Sequence, residues 1–351
     1  MAVRRSLWLG AAGGLGAVLL AVGVLVPLPY VELSPGPTFN TIGEVDGKPL
    51  IDISGTPTFP TEGNLDLTTV NERGGPETGV YLGRVLAGWA DPSTRVVPRE
   101  AFYPDDVTTQ EVQQQNSRDF SDSTSDSVAA ALNYLHRPVD KVVVVSSVLT
   151  GEPADGHLEP GDQILAIDGT TVTTPQDVST AMSGVKPGDT VSVRVKRSDT
   201  DTHVERITAT SNPRDPGRAF LGIAVSETYR APFHLQITLG GVGGPSAGMM
   251  LSLGIIDKLT PGQLNGGRYV AGTGTITPEG AVGAIGGIAQ KMVGARGNGA
   301  TLFLAPAANC SDVLDAGVPA GLTVAKVSTL SDAVDAIRAY LQGRPVPACT
   351  G

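Results

Sequence analysis

A serine in the C-terminal half of the chain lies in a turn made almost entirely of glycine and proline. The turn covers 240–248 and reads Gly-Gly-Val-Gly-Gly-Pro-Ser-Ala-Gly. An apolar run from Met249 to Ile256 follows it directly, and this run predicts a helix. Backbone N–H groups and the positive end of a helix dipole converge at such a helix start. The site around Ser246 could therefore hold an oxyanion.

A second feature follows 45 residues later, where Lys291 lies in a short helical pattern. Ile288 precedes it by three positions and Ala295 follows it by four. The helix face that carries the lysine therefore consists of apolar side chains, one of them small. Partial desolvation on that face favours the neutral amine. Taken singly, a helical lysine is more often solvated and Ser246 would be an ordinary helix N-cap.

Three motifs in this region resemble the proteolytic domain of Lon-type proteases. They are Gly244-Pro245-Ser246-Ala247-Gly248, Thr273-Gly274-Thr275-Ile276-Thr277, and Ile285-Gly286-Gly287 leading to Lys291. Three motifs in this order and at this spacing are a specific signal, whereas one glycine-rich loop would be weak. The resemblance implies a Ser-Lys dyad, with Ser246 as nucleophile, Lys291 as general base and Thr273 as a supporting hydroxyl beside the lysine.

The glycine-rich turn also predicts how the reaction's oxyanion is bound. We expect backbone groups of Gly244, Pro245 and Ala247 to supply that site. The family often has an acidic residue where this chain has Gly243. Phosphate binding is the other common use of such a turn, but no lysine follows these glycines as a Walker loop requires. The sequence therefore predicts no nucleotide and no cofactor.

Composition narrows the function classes further. The chain has 351 residues, 40% of them hydrophobic and 17% charged, which permits two or three domains with sizeable cores. Its net charge of −10 argues against a nucleic-acid partner, because phosphate binding needs a basic surface. The histidines His136, His157, His203 and His234 lack the spacing of metal ligands, so no metal site is predicted.

An uncharged run near the N-terminus predicts a transmembrane helix. Its apolar centre, Leu7 to Val26, is twenty residues long, about 30 Å as a helix. Arg4 and Arg5 precede it and favour a cytoplasmic N-terminus. We therefore expect a single-pass protein of the cell membrane whose remaining residues are extracytoplasmic. The alternative is a cleaved signal peptide, for which Ala21-Val22-Gly23 is a poor cleavage site.

The segment Leu158–Gly169, with the sequence LEPGDQILAIDG, closely resembles the core of a PDZ domain. The elements predicted to complete that domain are a strand at 141–147, a helix at 175–183, and strands at 190–196 and 204–210. The resemblance implies that extended peptide ends bind by strand addition, in a groove between the 141–146 strand and the predicted helix. The alternative is a PDZ fold that only spaces or gates the protease.

The predicted fold class is α+β multidomain, with a transmembrane helix, a β-rich PDZ domain with short helices, and a Lon-type α/β proteolytic domain. The predicted boundaries are a cytoplasmic stub and transmembrane anchor at 1–30, an N-terminal region at 31–138, the PDZ domain at 139–212 and the protease domain at 218–345. Ser34-Pro35-Gly36-Pro37, after a single span, resembles membrane-anchored bacterial proteins that combine both domains. In Lon-type domains, strands and a helix precede the serine-bearing half. We therefore hypothesise that 31–138 begins the protease domain and that the PDZ domain is inserted within it.

A capping pattern and a pair of cysteines predict two further local features. Ser123-Thr124-Ser125-Asp126 has the pattern of a capping box, so we expect a helix to begin there and to end before Pro138. Cys310 and Cys349 are the only cysteines. In an oxidising compartment, we expect them to form a disulfide.

The predicted function is that of an ATP-independent, membrane-anchored serine endopeptidase whose PDZ domain binds or gates the substrate. Its expected partners are polypeptides, as exposed segments, unfolded chains or membrane-protein ectodomains. The alternative is a non-catalytic, membrane-anchored scaffold in which PDZ binding is the function. The presence of Ser246, Lys291 and Thr273 argues against that alternative.

Overall fold

The computed structural model describes residues 13–16, 23, 26–104, 106–198 and 200–350. The chain divides into two compact units. The first unit comprises Met1–Ile51, Phe59–Thr124 and Ile237–Gly351, and the second comprises Asp52–Thr58 and Ser125–Gln236. Segments of the first unit therefore flank those of the second along the chain.

The bounds of the helices and strands follow in chain order. The strands are β1 (Pro27–Leu28), β2 (Tyr30–Asn40), β3 (Glu44–Val45), β4 (Lys48–Pro49), β5 (Ile51–Ser54), β6 (Asn64–Arg73), β7 (Val80–Tyr81), β8 (Arg95–Pro98), β9 (Asp140–Val148), β10 (Gln163–Ile167), β11 (Thr170–Thr171), β12 (Thr190–Lys196), β13 (Thr202–Thr208), β14 (Thr210–Asn212), β15 (Asp215–Phe220), β16 (Ile223–Arg230), β17 (His234–Ile237), β18 (Tyr269–Gly272), β19 (Thr275–Ile276), β20 (Val282–Gly283), β21 (Leu302–Pro306) and β22 (Thr323–Val327). The helices are α1 (Leu82–Ala90), α2 (Thr109–Tyr134), α3 (Pro175–Met182), α4 (Gly248–Leu259), α5 (Ile288–Gly297), α6 (Cys310–Ala316) and α7 (Leu330–Leu341). Short 3₁₀ helices lie at Arg99–Ala101 and Ala307–Asn309.

A mixed sheet with the strand order β22, β21, β18, β6, β2, β8 organises the first unit. β6 is parallel to β18 and antiparallel to β2, and β21 and β22 continue the parallel side. Every residue of β6 from Leu65 to Thr68 is buried, although successive side chains point to opposite faces. Both faces of this part of the sheet are therefore covered, and α4 and α5 pack against β6.

Helix α4 is the element on which the serine turn depends. All of its residues are buried except Lys258, which lies in its last turn. The run of methionine, leucine and isoleucine accounts for this burial, because each such side chain removed from water contributes about 1.5–3 kcal/mol. The turn that precedes α4 is thus attached to a rigid part of the core.

The carboxyl ends of the parallel strands bring the other motif residues to the same edge. β18 ends at Gly272, directly before Thr273, and the Thr273 N–H donates to Leu304 O of β21 at 3.2 Å. Gly274 N donates to Ser246 O at 3.0 Å, which joins the serine turn to this edge. Open α/β sheets commonly bind ligands at the carboxyl ends of their strands.

A second sheet, with the order β13, β12, β10, β9, β16, forms the second unit, and β11 pairs with β10. Its core is rich in valine, including Val143, Val145, Val191 and Val193. These β-branched residues suit a pleated surface packed on one face. A capping box between Thr174 and Asp177 starts α3, with Pro175 at the first helical position.

The order of this sheet corrects the predicted peptide groove. β9 is not an edge strand, because β16 pairs antiparallel with it from Asp140 to Val148. β16 is the edge, and α3 packs against it. Outside this sheet, β14 and β15 pair with each other as an antiparallel hairpin.

The predicted transmembrane helix is contradicted. In the described ranges no helix is both long enough and apolar enough to cross a bilayer. Helix α2 has 26 residues, but its sequence is polar over its first half. On this finding, the predictions of an N-terminal transmembrane helix and of a single-pass protein in the cell membrane are wrong. Of the predicted span from 7 to 26, only 13–16, 23 and 26 are among the described residues.

The predicted helix start at Ser123 is also wrong, because α2 already begins at Thr109. The capping box lies earlier: Thr108 N donates to Glu111 Oε2 at 2.9 Å, and Glu111 N donates to Thr108 Oγ1 at 3.2 Å. Ser123 lies in the interior of the helix and is buried. Its hydroxyl donates to Pro245 O of the serine turn, and this contact explains a serine at that position.

A disulfide joins Cys310, at the start of α6, to Cys349 in the C-terminal segment. The bond closes a loop with a sequence separation of 39 residues. We expect the Cys310→Ser/Cys349→Ser variant to lose about 3–4 kcal/mol of unfolding free energy, because the open chain gains entropy when unfolded. Urea unfolding of the oxidised parent and the variant, followed by circular dichroism, measures the difference. Equal midpoints and slopes for the two proteins would contradict the expectation.

Candidate active site

Three side chains from the three sequence motifs meet at one point. Lys291 Nζ lies 2.8 Å from Ser246 Oγ and 3.0 Å from Thr273 Oγ1. The Thr273 hydroxyl donates its own proton to Ser246 O at 3.0 Å. A hydroxyl has one proton, so the Thr273 oxygen can only accept from the lysine. An N–H of the amine is thereby directed to Thr273, and a lone pair of the neutral amine can face the Ser246 hydroxyl.

Burial determines the protonation of this lysine. Lys291 is 4% exposed, and Ile288, Met292 and Ala295 on the same helix are also buried. Burial lowers the pKa of Lys291 from 10.5 to about 8, because the charged amine loses its hydration. A substantial neutral fraction is thus present at mildly basic pH, as a general base requires.

Gly287 starts the helix that carries the lysine. Its φ is +70°, in the left-handed region, and a Cβ at this position would lie 2.7 Å from Val70 Cγ2 of β6. Glycine satisfies both constraints, because it has no Cβ and reaches positive φ without strain. Helix α5 can therefore start close to β6, with Lys291 in its first turn.

Helix α2 holds the serine turn, a contact that the sequence reading missed. Ser123 Oγ donates to Pro245 O at 2.8 Å, and Gly244 N donates to Asn116 O at 2.9 Å. The first half of α2 is polar and has no helical repeat of apolar residues from which a helix could be predicted. The available signal was the capping box at Thr108, which predicts that the helix includes Asn116 and Ser123.

Close packing against α2 also explains why glycine occupies position 243. A Cβ there would lie 2.8 Å from the Asn116 Cβ, closer than two such atoms approach in folded proteins. An acidic side chain, which the family often has here, does not fit without a shift of the helix or the turn. Its absence favours a neutral Lys291, because a nearby carboxylate would stabilise the charged amine.

The predicted oxyanion donors need correction. Gly244 N–H is already bonded to Asn116 O, and Pro245 has no N–H, so neither supplies a free donor. Ala247 keeps that role, and Ser246 N–H is the second candidate. Within the described residues, neither of these two N–H groups has a hydrogen-bond acceptor. Both lie at the N-terminus of α4, where the helix dipole favours negative charge.

A cleft of 610 Å³ in the first unit opens beside the dyad. Its walls come from β2, β6, the serine turn and the segment before α5, and they include Leu33, Phe39, Leu67, Val70, Phe102, Val242, Ala284 and Ile285. These side chains are apolar, so the cleft suits a substrate with hydrophobic residues. In the part of the chain that the structure describes, no group of His, Cys, Asp and Glu side chains could hold a metal ion.

Asn309 fixes one wall of this cleft. Its Nδ2 donates to Ile285 O at 2.9 Å, and its Oδ1 accepts from Ile285 N at 2.9 Å. Asn309 directly precedes the short helix α6, but its side chain makes no capping hydrogen bond there. It is 3% exposed, and it clamps the segment that leads to the lysine helix.

Two family models match parts of this chain. Residues 218–339 match the family model of the Lon protease (S16) C-terminal proteolytic domain, and residues 112–207 match a PDZ domain model. The chain carries a Lon-type proteolytic domain and a PDZ domain.

The similar Lon proteases are much longer than the matched regions, so this chain spans only a small part of their length. This chain is 40% identical over 95 residues to Lon protease 2 of Herpetosiphon aurantiacus, covering 26% of this chain and 11% of that protein. It is 34% identical over 119 residues to Lon protease 1 of Bacillus subtilis, covering 33% and 15%. A solved PDZ domain of an SdrC-like protein from Listeria monocytogenes is 29% identical, with a TM-score of 0.22, and covers 24% of this chain and 86% of that one.

Burial of Lys291 predicts a pH-dependent stability difference for Lys291→Met. Below pH 8 the lysine is charged in both the folded and the unfolded chain, so the cost of burying the charge is fully present. We expect the variant to exceed the parent by up to about 3 kcal/mol of unfolding free energy there. Between pH 8 and 10.5 the folded protein loses its proton first, so the parent gains stability and the difference narrows.

Chemical unfolding of parent and variant at a series of pH values measures this difference. Lys186→Met, at an exposed lysine, is the control and should show no comparable trend. A constant difference between parent and Lys291→Met from pH 7 to 10.5 would show that burial does not set this pKa.

Proposed function

We propose that this chain is a serine endopeptidase that cleaves polypeptides with Ser246 as nucleophile, Lys291 as general base and Thr273 as a supporting hydroxyl. The observation that carries the proposal is the 2.8 Å contact between Ser246 Oγ and a buried Lys291 Nζ. Nucleophile and base at hydrogen-bond distance, with a third group that orients the base, are the signature of an activated serine. The match to a Lon proteolytic domain supports the same assignment.

The proposed reaction is acyl transfer in two steps. Neutral Lys291 takes the proton of Ser246 while Oγ attacks the scissile carbonyl carbon, and N–H groups of Ser246 and Ala247 stabilise the oxyanion. The C–N bond then breaks, and the lysine ammonium gives its proton to the leaving amine. Lysine, neutral again, accepts a proton from water as the water attacks the acyl-enzyme carbonyl. The lysine ammonium then returns that proton to Ser246 Oγ as the ester bond breaks, which releases the acid product and restores the serine hydroxyl and the neutral amine.

An open strand edge supports binding of the substrate in extended form. β18 pairs with β6 as far as Leu67. From Thr68 to Arg73, the same edge has no partner strand within the described ranges, and 68–72 line the cleft. A polypeptide that adds to this edge gains main-chain hydrogen bonds regardless of its sequence. The nucleophile would then face one of its peptide bonds.

We further propose that cleavage needs no nucleotide and acts on segments that are already exposed or unfolded. The sequence contains no Walker loop, so its residues offer no site for ATP-driven unfolding. The cleft supports this limit on the substrate, because 610 Å³ accommodates an extended segment rather than a folded domain.

The PDZ domain is proposed to bind polypeptide ends at the outer edge of β16, on the residues before Tyr229, whose N–H already donates to Ser125 Oγ. This strand is the outermost of its sheet, and α3 packs against it, so a groove between the two elements has one backbone edge and one helical wall. Strand addition at such an edge captures an extended peptide, and the terminal carboxylate adds specificity.

The first prediction of this proposal concerns the dyad. Ser246→Ala, Lys291→Ala and Lys291→Arg should each lower kcat/KM by at least about three orders of magnitude. Arginine keeps the positive charge but cannot deprotonate in this range, so it cannot replace the base. The activity of the parent should rise with pH through a limb near 8, because only neutral Lys291 accepts a proton.

Hydrolysis of an unstructured fluorogenic polypeptide, with and without ATP, measures these rates. Lys326→Arg, outside the cleft, is the matched control and should keep the parental rate and pH profile. Substantial activity of folded Lys291→Arg would remove the lysine from its proposed role, and a requirement for ATP would refute cleavage without nucleotide.

The second prediction concerns the PDZ groove. Labelled peptides with apolar C-terminal residues should bind Ser246→Ala protein through their free carboxylate, so a C-terminal amide on the same peptide should weaken binding at least about tenfold. Fluorescence anisotropy with the full chain measures both dissociation constants. Equal affinity for the acid and the amide, or no binding of either, would favour a PDZ domain that only spaces or gates the protease.

A further inference from the structure

Glu72 is the only carboxylate among the described residues that line the catalytic cleft. It lies near the end of β6, on the stretch whose outer edge has no partner strand in the described ranges. The other lining residues are apolar or uncharged, apart from Lys291. When Lys291 is neutral, as the proposed reaction requires, Glu72 therefore supplies the charge on the cleft wall.

Tyr103 holds this carboxylate in place. The Tyr103 hydroxyl donates to Glu72 Oε1. The ring of Tyr103 packs edge-on against Phe102, itself a lining residue, with ring centroids 5.0 Å apart. An ionised carboxylate accepts several hydrogen bonds, so the single bond from Tyr103 leaves capacity for a cationic donor. The contact orients the group without neutralising it.

Arg73 is the basic residue nearest to Glu72 along β6, but it does not lie on the same face of the sheet as Glu72. Arg73 is the next residue of β6, so its side chain points to the opposite face of the sheet. Glu32 is its partner across the strand pair, and the pKa of that carboxyl is lowered mainly by the hydrogen bond from Arg84, with a smaller contribution from the charge of Arg73. Glu72 is thus available to a positive group that enters the cleft.

The strand also gives the distance between this charge and the reacting bond. Thr68 Oγ1 donates to Gly272 O at 3.0 Å, and Gly272 directly precedes Thr273 of the site. Glu72 lies four residues beyond Thr68, about 13 Å along an extended strand. A substrate segment that pairs with this edge as a β-strand has the same rise per residue as β6. Its side chain about four residues from the scissile bond would therefore lie level with Glu72.

We infer that Glu72 selects substrates that carry lysine or arginine about four residues from the scissile bond, with Tyr103 as its positioning residue. This inference rests on the proposed peptidase function and names the substrate class of that site. The apolar walls accept the residues between the basic one and the cleaved bond, and the carboxylate pairs with the basic one.

Matched peptides test the inference. Each pair has one apolar core around the cleaved bond and differs only in lysine or glutamate, placed three to five residues from that bond on either side. The parent should cleave the best lysine peptide about two- to fivefold faster, in kcat/KM, than its glutamate partner. Glu72→Gln should bring the ratio of the two kcat/KM values to about one, and Glu72→Lys should make the glutamate peptide the better substrate. The parental ratio should also fall as salt is raised.

Two variants serve as controls. Glu62→Gln changes the same charge on an exposed residue just before β6, outside the cleft, and should keep the parental ratio. Tyr103→Phe leaves the carboxylate but removes its hydrogen bond, so the ratio should be reduced. Circular dichroism establishes that each variant is folded.

Binding to Ser246→Ala separates this inference from the proposed function. Anisotropy with the same peptides, in Ser246→Ala and in Ser246→Ala/Glu72→Lys, should show the lysine preference and its reversal without any cleavage. If the parent cleaves but lysine and glutamate peptides react equally, or Glu72→Gln keeps the ratio, the inference is overturned and the peptidase stands. If the parent cleaves nothing, the proposed function fails, and a reversed preference in binding still supports selection by Glu72.

Discussion

The candidate site depends on keeping one lysine out of water. Lys291 is 4% exposed, and burial lowers its pKa to about 8. That burial is costly for a charged amine, so the surrounding structure must enforce it. Helix α5 does so by starting at Gly287, directly against β6. Thr273 then accepts one N–H of the amine and passes its own proton to Ser246 O, which leaves the lysine directed at the Ser246 hydroxyl.

The remaining scaffold holds the partners of that lysine. The serine turn is anchored on one side by the buried helix α4 and on the other by α2, through Ser123 and Asn116. The close approach of Asn116 leaves no room for a side chain at position 243. A single packing contact thus orders the turn and keeps a carboxylate away from the base. The same contacts leave the N–H groups of Ser246 and Ala247 for an oxyanion.

The first unit contains the proposed cleavage site, and the second contains the proposed peptide-binding site. Each uses the free edge of a strand, β6 in the first unit and β16 in the second. Edge strands offer main-chain hydrogen bonds to any extended polypeptide, and this one physical property underlies the proposal that both sites take unfolded or exposed chain. Specificity must then come from side chains near each edge. In the cleft, Glu72 is the charged candidate among apolar walls.

The sequence by itself determined the elements whose chemistry is local. Glycine and proline around Ser246, the small apolar residues on the face of Lys291, and the run of valines in β9 predict their own conformations, because each pattern acts within a few residues. Only the tertiary structure decided the role of Ser123, the occupied Gly244 N–H, the place of β16 at the sheet edge and the position of Glu72 in the cleft. These depend on partners distant in sequence, with Ser123 and Pro245 separated by 122 positions. The transmembrane helix was predicted from local hydropathy and from Arg4 and Arg5, and among the described residues no helix is long and apolar enough to cross a bilayer.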